Sequence, residues 1–358
     1  MRIGLVSEIK PAERRVALTD TGVGALVLDG HDVLVERGAG VGAGISDDAY
    51  ALAGAKLVDT AVAWAADLVV KVKEPIAPEY PYLRESTALF TYLHVAADPH
   101  LAHALVAAKV TAIAYETVED ERGGLPLLAP MSEIAGRLAA HAAGHYLMHP
   151  YGGPGVLLGG SPGVAPAKVV VLGGGVVGTQ AALLAIGMHA DVTILDVSPR
   201  RVRELEHLLG TRATVLQSDP ATLLAEVARA DVVVGAVLVP GATAPRLVSR
   251  RDLAHLKPGA LLIDVAIDQG GCFETSRATT YDEPTYELDG IVHYCVANMP
   301  GAVPQTSTRA LTNATLPYIR RIANLGVDDA LAEDPGLGRG LNAQAGTLTH
   351  DAVAAAHA

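Results

Sequence analysis

Aromatic side chains are scarce in this sequence, with one tryptophan, two phenylalanines and 4% aromatics in 358 residues. Cysteine is nearly absent. Cys272 and Cys295 cannot build a disulfide framework for a chain this size, so a reducing cytoplasm is the expected setting. The opening run Met-Arg-Ile-Gly-Leu-Val-Ser-Glu places an acid where a secretory leader needs apolar residues. Basic residues are outnumbered 27 to 39, for a net charge of −12, and an acidic surface repels nucleic acid. A small anionic substrate is still compatible, because a local cluster of Arg, Lys and His overrides the global sign. Long hydrophobic runs are missing but for residues 169–188, which carry no charge and have the length of a membrane span. Three adjacent glycines interrupt that run and β-branched residues fill only its start, so it reads as strand, turn and helix, with no membrane role.

What is present is aliphatic: half the residues are hydrophobic and glycine is abundant at 37. A chain this long is expected to fold as two domains. Residues 3–6, 32–36, 68–73, 88–93 and 111–115 read as strands. Residues 20–29 and 99–108 read as helices, the second with Asp98 as N-cap and Pro99 at its first position. Residues 132–149 form a long connecting helix, and 151–167, full of Gly and Pro, a loop. A second series follows, with strands at 169–172, 191–195, 214–216, 232–236, 261–265 and 291–294. Its helices lie at 176–188, 199–209, 220–228 and 250–255, and 306–324 is helical again. Alternating strands and helices imply parallel sheets covered on both faces. The Ala-rich tail is too short to be a domain and is expected to pack back on the first one. The expected division is therefore 1–128 plus 305–358, discontinuous, and 129–304.

The run Gly173-Gly174-Gly175-Val176-Val177-Gly178 sits between a strand and a helix, the context a dinucleotide fingerprint requires. Gly173 permits the tight turn, Gly175 lets the backbone approach a pyrophosphate, and Gly178 lets helix and strand pack closely. The helix N-terminus offers N–H groups and partial positive charge to phosphates. Asp196 ends the next strand, where an acid accepts hydrogen bonds from a ribose 2′-hydroxyl and repels a 2′-phosphate. NAD is therefore expected over NADP, with Arg200 and Arg201 close enough to leave the choice open. The fold class expected is α/β, two Rossmann-like domains with parallel sheets and an active site in the cleft between them.

Polar residues interrupt the apolar pattern of the first half at Arg15, Lys73 and His94. Parallel strands end on the side where ligands bind, so Lys73 and His94 are candidates to face one crevice. A lysine polarises a carbonyl, an arginine fork binds a carboxylate, and a histidine cycles as acid and base. Singly, each has an ordinary explanation: a solvated lysine, a surface arginine, a capping or core histidine. Asp268 follows the strand at 261–265 and precedes two glycines. It can activate water or ammonia, and it can equally be a turn former. His141, His145 and His149 recur at i, i+4 and i+8 on one helix face, but no Glu follows His141 and no fourth ligand is evident, so no metal is expected. Cys272 reads as a small buried side chain rather than a nucleophile.

The blocks Arg15-Val16-Ala17, Lys71-Val72-Lys73-Glu74-Pro75, Leu93-His94 and Leu127-Leu128-Ala129-Pro130-Met131-Ser132-Glu133 carry a resemblance. So do Gly235-Ala236-Val237-Leu238-Val239-Pro240-Gly241, the run from Asp264 to Glu274, and Tyr294-Cys295-Val296-Ala297-Asn298-Met299-Pro300. In this order they resemble the alanine dehydrogenase family over residues 1–324. The resemblance implies reversible oxidative deamination, in which L-alanine, NAD and water give pyruvate, ammonium and NADH. It implies that Arg15 and Lys73 bind the substrate, that His94 acts on its oxo or amino centre, and that Asp268 assists proton transfer. Ser132, Gly173, Gly175, Val177, Gly178, Asp196, Val239, Ile267, Asp268, Asn298 and Met299 form the implied cofactor-binding set. A cytoplasmic homohexamer is implied as well. The competing readings are the nicotinamide-nucleotide-binding subunit of a proton-translocating transhydrogenase, a related dehydrogenase acting on another amino acid, and a nucleotide-binding regulator without chemistry.

Overall fold

The computed structural model describes residues 1–237 and 244–357. The chain forms two compact units, Met1–Met131 with Gly301–Ala358, and Ser132–Pro300. The first opens with β1 (Arg2–Leu5), α1 (Asp20–Leu28), β2 (Asp32–Glu36), α2 (Asp47–Leu52), β3 (Lys56–Val58) and α3 (Thr60–Trp64). It continues through β4 (Leu68–Val70), β5 (Ala88–Thr91), α4 (Pro99–Ala108) and β6 (Thr111–Ala114) to α5 (Ala129–Tyr146), on which the second unit begins.

The second unit contains β7 (Lys168–Leu172), α6 (Val176–Gly187), β8 (Asp191–Asp196), α7 (Pro199–Leu209), β9 (Thr214–Gln217) and α8 (Pro220–Val227). It closes with β10 (Val232–Gly235), β11 (Leu261–Asp264), β12 (Thr285–Leu288) and β13 (Ile291–Tyr294). The chain then returns to the first unit with α9 (Pro304–Leu325), α10 (Val327–Glu333), α11 (Pro335–Gly338), β14 (Leu341–Gln344), β15 (Thr347–Leu348) and α12 (Asp351–Ala356).

Among the described residues the first sheet runs β15-β14-β6-β5-β4-β1-β2-β3 and the second β12-β13-β11-β10-β7-β8-β9. Both are mostly parallel, but the expectation of purely parallel sheets needs correcting at their edges. β12 pairs antiparallel with β13, and β14 pairs antiparallel with both β6 and β15. The cause of two of these pairings is local. Asp289 and Gly290 both have positive φ and join β12 to β13 in a two-residue turn, as Ala345 and Gly346 join β14 to β15. That backbone matches the twist of a hairpin. The remaining pairing, β14 on β6, lays the returning tail along a sheet edge that would otherwise expose its N–H groups.

Apolar residues alternate between the two faces of the second sheet. Val169 and Val171 of β7 join one core cluster with Val232, Val234, Leu261 and Ile263. Val170, Leu172, Val233 and Leu262 join the other. Two covered faces explain why these strands read as continuous apolar runs rather than alternating ones, each buried side chain contributing about 1.5–3 kcal/mol. The uncharged run at 169–188 is divided into β7, the glycine turn and α6, and no helix among the described residues is long and apolar enough to cross a membrane. The connecting helix stops at Tyr146, so His149 lies in the short 3-10 turn His149–Tyr151 and not on the helix face shared by His141 and His145. The break falls at Met148, whose backbone is extended, with φ of −77° and ψ of 139°. His145 stacks instead on Tyr151, with ring centroids 3.7 Å apart.

In the first unit β1 packs so closely on α3 that only glycine fits at position 4. A Cβ on Gly4 would lie 2.1 Å from the carbonyl oxygen of Ala63, which is backbone and cannot swing aside. Gly4→Ala is therefore expected to destabilise the protein by about 1–3 kcal/mol, the usual cost of overpacking. Chemical denaturation followed by circular dichroism checks this, and an unchanged midpoint would contradict the packing.

Candidate functional site

β1, β4, β5 and β6 are parallel neighbours, so their C-terminal ends emerge on one side of the first sheet. Glu8, Lys73 and His94 each stand three residues beyond the end of their strand. Both sequence candidates from this region thus come from adjacent strand ends, and Glu8 comes from the end of β1 on the other side of β4. The Glu8 carboxylate accepts the N–H of Val72 at 2.6 Å and that of Lys73 at 3.4 Å. The Lys73 carbonyl in turn accepts the Thr91 hydroxyl at 3.0 Å, tying the Lys73 segment to the end of β5.

His94 is exposed and adopts left-handed backbone, with φ of 50°. Glu116 holds it there: one carboxylate oxygen accepts the His94 N–H at 2.6 Å, and both accept the Leu93 N–H at 3.2 Å. The His94 Nδ1 lies 3.9 Å from the same carboxylate, and its ring stacks over Tyr92. Tyr92 is buried and donates its hydroxyl to the Leu127 carbonyl at 2.6 Å.

Arg15 is not the surface residue its isolated position in the sequence allows. It is 3% exposed, and Glu13 accepts its backbone N–H, its Nε at 2.7 Å and its Nη2 at 2.5 Å. Nη1 points to Met131 Sδ at 3.1 Å. Burial works against the guanidinium charge, but the Glu13 hydrogen bond and charge outweigh it and hold Arg15 above its usual range.

Lys71 was not singled out in the sequence, yet it is the buried lysine of the pair in this segment. It is 1% exposed, bonded to Glu79 at 2.6 Å and 3.3 Å from Glu8. Burial opposes its charge, and the two glutamates restore it. Lys71 is therefore a core ion-pair residue, while Lys73 is half-buried and has Glu74 beside it.

In the second unit the glycine turn behaves as its spacing requires. Gly173 has φ of 97°, and a Cβ on Gly178 would lie 1.9 Å from the Gly173 carbonyl oxygen. A Cβ on Gly175 would meet nothing within 4 Å, so this position is kept bare for space outside the protein rather than for packing. Gly175 is the N-cap of α6 and no side chain caps the helix, leaving its first N–H groups to an anion. Val177, on the first turn, is half-buried.

Asp196 ends β8 and accepts the Gly174 N–H on one oxygen and the Ser198 N–H on the other, both at 2.8 Å. A carboxylate offers about four lone-pair positions, which leaves acceptors for a ribose hydroxyl. The two arginines nearby do not favour a 2′-phosphate. Arg201 donates to the Gly174 carbonyl, to the Thr179 hydroxyl and to Glu204, so its guanidinium buttresses the glycine turn. Arg200 is extended into solvent near Glu204. The residues present fit a dinucleotide with a free 2′-hydroxyl.

Asp268 is exposed on the 3-10 turn Ile267–Gln269, just beyond β11. Its carboxylate accepts the Asn298 N–H at 3.4 Å, and Asn298 has φ of 53°. The structure thus brings Asp268 and Asn298 together. Ile267 and Met299 are buried beside them in the chain, and Ser132 is half-buried on α5. Val239 lies outside the described residues, as does most of the Gly235–Gly241 block. No group of three or more metal-ligating side chains occurs among the described residues.

Cys272 and Cys295 are both buried and unpaired. Burial, with Asp264 nearby, pushes the Cys272 thiol up to about 12 and the Cys295 thiol up to about 11. Since the thiolate is the reactive form, both are expected to stay silent toward a thiol-exchange reagent at neutral pH and to react fully once unfolded in guanidinium. A rapid native reaction at either would refute the burial argument.

Two family models match the chain, that of the alanine dehydrogenase/PNT N-terminal domain over residues 4–135 and that of the C-terminal domain over residues 139–351. The chain is 53% identical over 356 residues to an alanine dehydrogenase of Bacillus subtilis, covering 99% of this chain and 94% of that protein. It is 52% identical over 356 residues to an alanine dehydrogenase of Mycolicibacterium smegmatis, covering 99% and 96%. Among solved structures, an L-alanine dehydrogenase superposes with a TM-score of 0.96 at 50% identity, covering 99% of each chain. A transhydrogenase from Sinorhizobium meliloti superposes with a TM-score of 0.83 at 26% identity, covering 98% of this chain and 100% of that one. From its first strand to its returning tail, the chain belongs to the alanine dehydrogenase/PNT family.

Proposed function

We propose that this chain is an NAD-dependent L-alanine dehydrogenase, an oxidoreductase that converts L-alanine, NAD and water to pyruvate, ammonium, NADH and a proton, reversibly. The observation that carries this reading is identity of 52–53% along nearly the whole chain to alanine dehydrogenases. The separate presence of Arg15, Lys73, His94 and Asp268, each on a loop tied down by hydrogen bonds, supports it. The transhydrogenase likeness, at 26% identity, is weaker by half.

The unit Met1–Met131 with Gly301–Ala358 serves as the substrate domain and Ser132–Pro300 as the nucleotide domain. NAD, when bound, supplies the two-electron acceptor. Gly173, Gly175, Val177 and Gly178 form its phosphate turn and Asp196 its ribose acceptor, with Ser132, Val239, Ile267, Asn298 and Met299 completing the site. Arg15 and Lys73 bind a small anion. Lys73 draws electron density from the carbonyl oxygen of pyruvate and stabilises negative charge there. His94 holds or releases a proton at the amino or oxo centre, and its left-handed backbone keeps the imidazole clear of the sheet end. Asp268 accepts a proton from the attacking water in deamination and returns one in the reverse direction. A homohexamer in the cytoplasm is the working form that follows from the family resemblance, and sedimentation velocity reads the oligomer number.

Purified protein is expected to reduce NAD with L-alanine, and far more weakly with NADP or with bulkier amino acids, followed by NADH absorbance. Silence on L-alanine with NADH still bound would move the assignment to another amine substrate. Lys73→Ala is expected to lower turnover at least 100-fold while NADH affinity stays within about threefold, a loss on the scale of removing one transition-state donor. Asp196→Ala is expected to weaken NAD and to narrow the preference over NADP, read as the ratio of the two kcat/KM values. An unchanged ratio would remove Asp196 from the ribose site.

A further inference from the structure

Asp264 ends β11 and is 1% exposed, with no place for it in the reaction as described above. Its carboxylate nevertheless collects four donors. One oxygen accepts the Ala266 N–H at 3.2 Å. The other accepts the Cys272 N–H at 2.8 Å, the Phe273 N–H at 3.3 Å and the Ser276 hydroxyl at 2.5 Å. Ala266 and Cys272 bracket the segment that carries Asp268. The loop therefore leaves the strand, presents Asp268, and returns to the same carboxylate.

The closeness of the return is built into the backbone. Gly271 has φ of 84°, and a Cβ there would lie 2.5 Å from the Asp264 carboxylate oxygen. Ala266 and Gly271 are also joined directly, the Gly271 N–H donating to the Ala266 carbonyl at 3.0 Å. Between these anchors only Ile267 is buried; Asp268 and Gly270 face solvent. Turn bonds within the loop and the Ala244 N–H on the Gln269 carbonyl at 3.0 Å help hold it, and the Asp264 carboxylate ties both of its ends to the strand.

We propose that Asp264 is the positioning residue for Asp268, fixing the Asp268 carboxylate for proton transfer by clamping both ends of its loop. The proposal rests on the reading of Asp268 as the proton-transfer group. Asp264→Asn keeps the volume but replaces one acceptor with an NH2 that faces an N–H donor. A displacement of about 1 Å in a reacting group is enough to cost roughly 100-fold in rate.

The test is a double-mutant cycle in kcat with L-alanine and NAD, using the full chain. Asp264→Asn alone is expected to lower kcat about 100-fold. Added to Asp268→Asn, it is expected to lower the residual rate by less than threefold, because a clamp has nothing left to position. A merely structural role would cut the residual rate by the same factor as the single change. Full kcat in Asp264→Asn, or full additivity in the double variant, overturns the proposal. Should Asp264→Asn fail to fold, Gly271→Ala crowds the same carboxylate without removing it, and the same pair of outcomes decides. Normal turnover in Asp268→Asn itself would instead sink the role given to Asp268, and with it the basis of the clamp.

Discussion

A backbone N–H that leaves a parallel strand loses its ladder partner, and in this protein carboxylates take its place. Glu8 accepts from Val72 and Lys73, Glu116 from Leu93 and His94, Asp196 from Gly174 and Ser198, and Asp264 from Ala266, Cys272 and Phe273. Each acid stands at or just beyond a strand end, and each holds a loop with a residue of the proposed substrate or nucleotide set. Hydrogen bonds to a charged acceptor contribute about 1.5–3 kcal/mol, more than a neutral pair. A short loop with little apolar surface can be made rigid this way without being buried.

The same acids let cations sit where a hydrophobic core would reject them. Arg15 keeps its charge because Glu13 meets it on three nitrogens, and Lys71 because Glu8 and Glu79 flank it. Two lysines a dipeptide apart consequently have different tasks. Lys71 is neutralised by its partners, and its burial makes it a fixed part of the first unit. Lys73 donates its backbone N–H to Glu8, and its charge acts on Glu74. An acidic chain that handles a small anion is thus no contradiction, since many of its acids face inward onto N–H groups and cations.

Much of this was legible in the sequence, and the parts that were not have a common cause. Asp32–Glu36, Pro99–Ala108, Pro199–Leu209 and Ile291–Tyr294 have the ends the sequence indicates. The two helices among them are fixed by side-chain caps, Asp98 on His100 and Leu101, and Ser198 on Arg201. The strands expected at 68–73 and 88–93 stop earlier, at Val70 and Thr91. Lys71 and Tyr92 still donate across to the Phe90 and Val72 carbonyls, but the N–H groups after them turn to Glu8 and Glu116 instead of a neighbouring strand. Three short elements, α2, β3 and α3, were too brief for periodicity to reveal, although Ser46 before Asp47-Asp48 is a cap signal. β12 was missed despite Asp289-Gly290, a strong hairpin dipeptide. The candidate residues Lys73, His94, Asp196 and Asp268 were visible because they interrupt apolar runs or follow them. Glu8 and Glu116 were not, because an acid 64 or 22 residues away in the chain carries no local mark of its partner.

Backbone strain gives the arrangement its sharpest test by magnitude. His94 and Asn298 are not glycines, yet both occupy left-handed backbone, at φ of 50° and 53°. Such a conformation costs on the order of 1–2 kcal/mol per residue and relaxes unless something opposes it. At His94 the opposing force is the 2.6 Å bond from its N–H to Glu116, whose charged acceptor outweighs that cost. At Asn298 the acceptor is Asp268 itself, at a longer 3.4 Å, so the bond is weaker and the same carboxylate has both a structural donor and solvent access. The first strained residue is held by an acid that also accepts the N–H of its neighbour Leu93. The second leans on Asp268, whose own loop is anchored by the buried carboxylate four residues before it.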